Sequence, residues 1–189
     1  MTRLTHPRTV LITGATGGIG SALAQAYAQS GNTLVLQGRN VARLAQLAAL
    51  CEGTGARVLT QVLDVRDREA LAVWLREICE REAVDLLFVN AGVNTNIGAD
   101  RAGEQWADVQ ELIEVNVLAA MATVDAVLPS MRSRGHGQIA LISSLAAYFG
   151  LPITPSYSAS KAALKAYGEG LRGWLAPQGI WVNVVMPGY

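Results

Sequence analysis

Short apolar runs alternate along the chain with longer stretches in which apolar residues recur with helical period. The apolar runs, rich in Val, Leu and Ile, predict strands at residues 8–13, 33–37, 57–63, 85–90, 138–143 and 181–185. The helical stretches predict helices at residues 18–29, 41–50, 68–81, 103–134 and 157–176. Such alternation is typical of repeated βαβ units around a buried parallel sheet. Right-handed crossovers then favour an α/β fold with a doubly wound parallel sheet in three layers, α/β/α.

The size and composition of the chain limit the range of functions it can have. Its 189 residues suffice for one core, so residues 1–189 are predicted to form a single domain. A hydrophobic fraction of 51% argues against disorder, and a formal net charge of zero argues against a nucleic-acid partner. We therefore expect a small-molecule partner.

Cysteine and histidine are too few for a disulfide framework or a metal site. Cys51 and Cys79 lack paired-ligand spacing, which fits a reducing compartment. His6 and His136 lie in unrelated segments, so no metal is expected.

No targeting or membrane segment is predicted. Arg3 and Arg8 precede an apolar stretch, as in a secretory signal, but Thr13 and the glycines after it interrupt that stretch. Because eighteen apolar residues nowhere run together, a membrane span is not predicted either. We expect a cytoplasmic protein.

A glycine-rich segment from Thr13 to Gly20 directly follows the first predicted strand and opens the first helix. Glycines permit a tight turn, let backbone N–H groups approach a pyrophosphate, and let the helix pack close to the strand. The helix N-terminus adds partial positive charge. A glycine run alone indicates only a turn, but this placement predicts a dinucleotide-binding loop. Its candidate cofactor-binding residues are Gly14, Thr16, Gly17, Gly18, Ile19 and Gly20.

The end of the second predicted strand bears on the choice of cofactor. A carboxylate there would hold the free ribose 2′-hydroxyl of NAD(H), but the sequence has Arg39 instead. A guanidinium suits bidentate contact with a 2′-phosphate, so Arg39 favours NADP(H), with NAD(H) still possible. The alternative is that Arg39 is an ordinary solvated residue before a helix.

Tyr157 and Lys161 lie four residues apart in a predicted helix and therefore project from the same face. A free phenol has a pKa near 10, which is too high for ready proton exchange at neutral pH, and a nearby ammonium lowers such a pKa. Tyr157 can then donate a proton to a carbonyl oxygen that receives hydride, or remove one from an alcohol. By itself, however, this spacing is common on helix surfaces.

Two other segments support a catalytic role for Tyr157 and Lys161. Ser144 closes the fifth predicted strand, and ligand sites in open parallel sheets lie beyond the carboxyl ends of the strands. Its hydroxyl can hydrogen-bond the substrate oxygen and hold it during proton transfer. Asn90, Ala91 and Gly92 end the fourth strand, where small residues let the backbone pass beside a cofactor.

Together these motifs make the chain resemble the short-chain dehydrogenase/reductase family, from its first strand to its last residue. TGxxxGxG begins at Thr13, NAG at Asn90 and YxxxK at Tyr157, and Ser144 lies thirteen residues before the tyrosine. The resemblance implies a Rossmann fold and an NAD(P)-dependent oxidoreductase that transfers hydride between the cofactor and a carbonyl or alcohol carbon.

The resemblance also assigns roles that the residues alone do not suggest. It implies that Asn116 completes a catalytic tetrad with Ser144, Tyr157 and Lys161 by supporting a water-linked proton relay to Lys161. Further cofactor contacts are implied at Asp64, Val65, Asn90, Ala91, Gly92, Tyr157, Lys161, Pro187 and Gly188.

Two features depart from the family pattern. Gly14, Gly17 and Gly20 also satisfy GxxGxxG, the form used by the epimerase and dehydratase branch, although NAG and the serine-to-tyrosine spacing favour the single-domain branch. The sequence stops just after Pro187 and Gly188, a pair that in relatives precedes a threonine, a mobile substrate lid and a final strand. We therefore expect a chain that lacks the C-terminal strand and lid of a longer protein.

Three glycines inside the last predicted helix, Gly168, Gly170 and Gly173, each cost about 1 kcal/mol relative to alanine. Close approach of a neighbouring helix would explain that cost. We therefore expect a homo-oligomer, either a homodimer or a homotetramer.

Two alternatives to the oxidoreductase remain. One is a non-catalytic NAD(P)-sensing protein that regulates a partner, against which the retention of all four catalytic residue types argues. The other is an enzyme of the epimerase/dehydratase branch, which would isomerise its product without net consumption of cofactor.

Overall fold

The structure, a computed structural model, describes residues 6–188, so Arg3 and Tyr189 lie outside it. Its strands are β1 (Thr9–Ile12), β2 (Thr33–Gly38), β3 (Arg57–Val62), β4 (Leu86–Val89), β5 (Gly137–Ile142) and β6 (Ile180–Val185). Its α-helices are α1 (Gly18–Tyr27), α2 (Val41–Glu52), α3 (Arg68–Arg81), α4 (Trp106–Ile113), α5 (Ala120–Arg134) and α6 (Pro155–Leu175). The strands pair in parallel in the order β3-β2-β1-β4-β5-β6, which confirms the doubly wound sheet.

Both faces of the four central strands, β1, β2, β4 and β5, are buried, because helices cover each side of the sheet and successive strand residues point to opposite sides. Leu11 of β1 joins the core formed with α3, α5 and α6, whereas Val10 and Ile12 join the core formed with α1 and α2. All residues of β1 are buried. The predicted three-layer arrangement is therefore confirmed, and β1 lies at its centre.

The fourth helical region differs from the prediction. It begins at Trp106, because the segment before it includes Arg101 and Gly103 with φ of 57° and 123°, and neither value is compatible with a right-handed helix. Between α4 and α5 the chain forms a π-helical turn, Glu114–Ala119. Such turns are rare and often occur at functional sites.

The glycines of α6 have different surroundings. A side chain at Gly168 would clash with Val184 and would lie 2.6 Å from Leu141 Cδ1, so this glycine lets α6 pack close to the sheet. An added Cβ at Gly170 or Gly173 would have no heavy atom of the described residues within 4 Å. The expected interface between copies therefore depends on Gly170 and Gly173 alone.

Among the described residues, one helical stretch, Trp106–Arg134, is long and apolar enough to cross a membrane by length and composition alone. Half of its most apolar part is buried inside the protein, and buried residues of α5 belong to the core formed with α3 and α6. These features are those of a core helix.

Candidate active site

A cleft of about 620 Å³ opens at the carboxyl ends of β1, β2, β4 and β5. The strand order reverses there, since β1 pairs with β2 on one side and with β4 on the other. Helices leave neighbouring strands in opposite directions at such a point, and a crevice results. The predicted site residues that line it are Gly14, Thr16, Gly17, Gly18, Ile19, Gly20, Arg39, Asp64, Val65, Asn90, Ala91, Gly92, Tyr157 and Lys161.

The turn after β1 requires glycine. Gly14 has a φ of +65°, and a Cβ there would lie 2.7 Å from the Ala91 Cα. The amide of Gln37 fixes the turn, because its Oε1 accepts a hydrogen bond from the Gly14 N–H at 2.9 Å and its Nε2 donates to the Leu63 carbonyl. Sequence reasoning missed this role of Gln37, although an amide within an apolar strand was a signal for it.

The N-terminus of α1 presents backbone donors to the cleft. Its N-cap, Gly17, provides no side-chain capping hydrogen bond, and the first turn carries no acidic residue. An uncapped helix N-terminus is a favourable place for a phosphate group, because unpaired N–H groups and the helix dipole both attract negative charge. The residues present therefore fit the pyrophosphate of a dinucleotide.

Asn90 links the end of β4 to this loop. Its Nδ2 donates to the carbonyl oxygens of Thr13 and Gly14, each at 3.0 Å, while its backbone N–H donates to the Thr13 hydroxyl at 3.1 Å. The asparagine of the NAG motif thus holds two sides of the cleft at a fixed separation.

Lys161 is the buried cation of the site. Only 5% of the residue is exposed, and its Nζ donates to the Ile142 carbonyl oxygen at 2.9 Å. Burial lowers the pKa of Lys161 to about 8, so the side chain is an ammonium at neutral pH. Its Nζ lies 5.5 Å from the centroid of the Tyr157 ring, and both residues line the cleft.

Ser144 lies at the carboxyl end of β5. Its hydroxyl accepts a hydrogen bond from the Ala146 N–H at 3.1 Å and caps a short 3₁₀ turn. The neighbouring Ser143 donates from its hydroxyl to the Lys161 carbonyl at 2.8 Å. This bond ties the segment that carries Ser144 to the helix that carries Lys161 and Tyr157.

Asn116 lies in the π-helical turn and is 1% exposed. Its Oδ1 accepts from the Val93 N–H at 2.8 Å, and its Nδ2 donates to the Val93 carbonyl at 2.9 Å and to the Ser160 hydroxyl at 3.0 Å. The amide therefore joins the loop after β4 to α6. Its predicted part in a proton relay stays a prediction. Ser160, within the YxxxK segment, was not singled out from the sequence.

A group of four charged residues lies at the outer edge of the cleft. Arg39 Nη1 is 3.6 Å from Asp64 and 3.4 Å from Glu111, and Arg66 contacts the same two carboxylates. Hydrogen bonds from Arg66 lower the pKa of Asp64 to about 2. Arg43, in the first turn of α2, also lines the cleft, and no sequence motif had indicated it.

Pro187 and Gly188 occupy a different place from the other predicted cofactor residues. Within residues 6–188 they are not part of the cleft wall, and the Pro187 carbonyl accepts a hydrogen bond from the Leu145 N–H at 3.1 Å. They therefore border the loop that follows Ser144.

Comparison with known proteins adds independent information. A family model described as short chain dehydrogenase matches residues 8–189. The ketoacyl reductase HetN of Nostoc sp. is 36% identical over 100% of this chain and 65% of its own length. Dehydrogenase/reductase SDR family member 4 of Sus scrofa is 34% identical over 96% of this chain and 65% of its own length. The chain thus spans slightly less than two thirds of these relatives.

Solved structures have the same fold. L-sorbose reductase from Gluconobacter frateurii, complexed with NADPH and L-sorbose, has a TM-score of 0.86 and 33% identity and covers 96% of this chain and 69% of its own. An NAD⁺-bound xylitol dehydrogenase has a TM-score of 0.89 and 30% identity over 96% of this chain and 70% of its own.

Proposed function

The chain belongs to the short-chain dehydrogenase family, and on that premise we propose that it transfers hydride between NADP(H) and a carbonyl or alcohol carbon of a small molecule. The observation that carries the proposal is that Tyr157 and Lys161 line the same cleft as the glycine loop. The names of the relatives, which are reductases and dehydrogenases, support this class of reaction.

Different elements would hold the two halves of the cofactor. The N-terminus of α1 would bind the pyrophosphate, Asp64 and Val65 would border the adenine, and Lys161 would hold the nicotinamide ribose. When bound, the nicotinamide supplies or accepts the hydride.

The side chains of the chain itself handle the proton. Tyr157 donates a proton to the substrate oxygen during reduction and removes it during oxidation. The Lys161 ammonium stabilises the phenolate that this transfer leaves behind. Ser144 hydrogen-bonds the substrate oxygen, and Asn116 supports the return of protons to Lys161.

The preference for NADP(H) follows from two cations. Arg39 and Arg43 both line the cleft, and a 2′-phosphate favours arginine as a bidentate partner. The negative charge of Asp64 opposes phosphate binding, but Arg66 lies 2.7 Å from that carboxylate and offsets it. NAD(H) remains the second candidate cofactor, since an NAD⁺-bound relative has the same fold.

We also infer a cytoplasmic homodimer or homotetramer. The support is the exposed face of α6 around Gly170 and Gly173, where small residues permit close helix contact. Light scattering on the full-length protein is the test, and a monomeric mass would contradict it.

Replacing Tyr157→Phe in the full-length protein tests the reaction. Loss of the general acid is expected to lower kcat for the best substrate in a panel of ketones, aldehydes and alcohols by about 10²–10⁴-fold. The Kd for NADPH, measured by fluorescence titration, is expected to stay within about twofold, since the phosphate-binding loop is unaltered. Unchanged turnover would remove the mechanism and leave a nucleotide-binding protein.

A further inference from the structure

Helix α6, which carries Tyr157, begins without a cap of its own. Thr154 is its N-cap residue but makes no capping hydrogen bond, and Pro155 at the first position has no N–H. The Thr154 hydroxyl instead lies 2.7 Å from Asn94 Oδ1 and 2.6 Å from the Thr95 carbonyl oxygen. The first backbone donor of the helix that needs a partner is therefore the N–H of Ser156.

Glu104 supplies that partner from another part of the chain. Its Oε2 accepts from the Ser156 hydroxyl at 2.6 Å and from the Ser156 N–H at 3.2 Å. Glu104 lies in the irregular segment before α4, whereas the first turn of α6 contains no acidic residue. A carboxylate at a helix N-terminus satisfies unpaired donors and interacts favourably with the helix dipole.

The capped residue directly precedes Tyr157. Further bonds join the same two segments: the Ile97 N–H donates to the Ile153 carbonyl at 3.1 Å, and Thr154 contacts the loop after β4 as described above. We propose that Glu104 is a positioning residue for Tyr157, an inference that rests on the proposed function. Its carboxylate fixes the first turn of α6 and so sets the phenol relative to Lys161 and Ser144.

Lys161 does not share this dependence. It lies one turn deeper in α6, where its Nζ is bonded to the Ile142 carbonyl and its own carbonyl accepts from Ser143. Tyr157 occupies the terminal turn, where helices fray. Loss of Glu104 therefore loosens the phenol while the ammonium stays in place, and a misplacement of about 1 Å can cost on the order of 10²-fold in rate.

Glu104→Ala in the full-length protein tests the proposal, with Asp100→Ala as the matched control. Asp100 lies in the same segment, but among residues 6–188 the one hydrogen bond of its carboxylate is to the Ala102 N–H of that segment. For Glu104→Ala, kcat is expected to fall about tenfold with KM for NADPH unchanged, because Glu104 does not line the cleft within the described residues and Lys161 keeps its own hydrogen bond. Glu104→Gln keeps an acceptor oxygen and is expected to restore most of kcat.

Hydrogen exchange provides a readout that does not depend on activity. The Ser156 amide is expected to exchange faster in Glu104→Ala than in wild type, and at the wild-type rate in Asp100→Ala. If Glu104→Ala does not fold, Ser156→Ala, which removes only the hydroxyl contact, is expected to lower kcat about threefold with KM for NADPH unchanged.

Several results would overturn the positioning role. The first is a kcat of Glu104→Ala within twofold of wild type, and the second is an equal loss of kcat in Asp100→Ala. The third is an unaltered exchange rate of the Ser156 amide in Glu104→Ala. Where Glu104→Ala does not fold, full activity of Ser156→Ala would have the same meaning. Tyr157→Phe separates the two proposals: if that variant is inactive while Glu104→Ala is normal, only the positioning role fails. If Tyr157→Phe keeps turnover, the reaction itself is wrong.

Discussion

The two ends of the cleft are formed by different chemical groups, backbone N–H groups at one end and buried polar side chains at the other. At the proposed phosphate end, the loop between β1 and α1 offers backbone N–H groups and depends on glycine at Gly14 and Gly20. At the proposed catalytic end, Asn116 and Lys161 are buried polar side chains held by hydrogen bonds to the loop after β4 and to the end of β5. One end relies on the absence of side chains and the other on buried ones.

This difference predicts how each end fails. Backbone donors do not titrate, so the phosphate end is sensitive to added volume and insensitive to pH. A buried ammonium carries a desolvation cost, so the proposed catalytic end is sensitive to charge, and Lys161 there lowers the stability of the protein. Substitutions at the two ends should therefore produce opposite changes in stability.

Among the substitutions that compare the two ends of the cleft, Lys161→Met is expected to have the largest effect. Loss of the ammonium should lower kcat about 10²–10³-fold, as for other groups that stabilise developing negative charge. At pH 7 the variant should nevertheless be more stable by roughly 1–3 kcal/mol, because wild type keeps a buried charge that methionine does not. Urea denaturation measures the difference in the free energy of unfolding. Lys165→Met is the control, because Lys165 lies on the same helix but a hydrogen bond to Glu169 raises its pKa.

The pKa of Lys161 determines how stability changes with pH. It is about 8 in the folded protein and ordinarily 10.5. Below pH 8 the folded and unfolded states are both protonated, and the burial cost is present in full. Between pH 8 and 10.5 the folded state releases its proton first, so wild type gains stability as pH rises. The advantage of Lys161→Met should shrink across this range, and a constant advantage would contradict the buried charge.

Gly14→Ala should have the next largest effect. Its Cβ would lie 2.7 Å from the Ala91 Cα at a φ that L residues rarely adopt. We expect a loss of about 1–2 kcal/mol in the free energy of unfolding and a roughly tenfold weaker Kd for NADPH. Gly150→Ala is the control, since an added Cβ there meets nothing within 4 Å in the described chain and its φ is not in the left-handed region. Equal losses of stability and of NADPH affinity in the two variants would contradict a specific requirement for glycine at this turn.

Arg39→Ser is expected to have the smallest effect and concerns the choice of cofactor. Arg39 is 54% exposed at its side chain and already pairs with two carboxylates, so its contribution is moderated by solvent. The ratio of NADPH to NADH affinity, measured by titration, should fall about tenfold. Comparable affinities for both cofactors in wild type would defeat the argument from Arg39.

Sequence reasoning predicted the fold well, because the apolar runs of a buried parallel sheet and the periodicity of its helices are local signals. It placed β3 and α3 within a residue of their observed ends, since the apolar pattern of each element is a local signal. It misplaced the start of the helix before Asn116, since a π-helical turn and backbone with positive φ leave little trace in an apolar pattern.

Within the site, continuous motifs were visible and long-range partners were not. Gly14, Tyr157 and Lys161 belong to short motifs whose neighbours explain their chemistry. Gln37 and Glu104 act on segments far away in sequence, so their roles depend on tertiary packing. Their partners are known only once the fold brings β1 beside β2 and the loop after β4 beside α6.

A crystal structure of the full-length protein with NADP(H) tests the central claim most directly. We expect the pyrophosphate at the N-terminus of α1 and the nicotinamide at the other end of the cleft, within reach of Tyr157 and Lys161. A cofactor bound in this cleft with the Tyr157 hydroxyl turned away from the nicotinamide would contradict the claim.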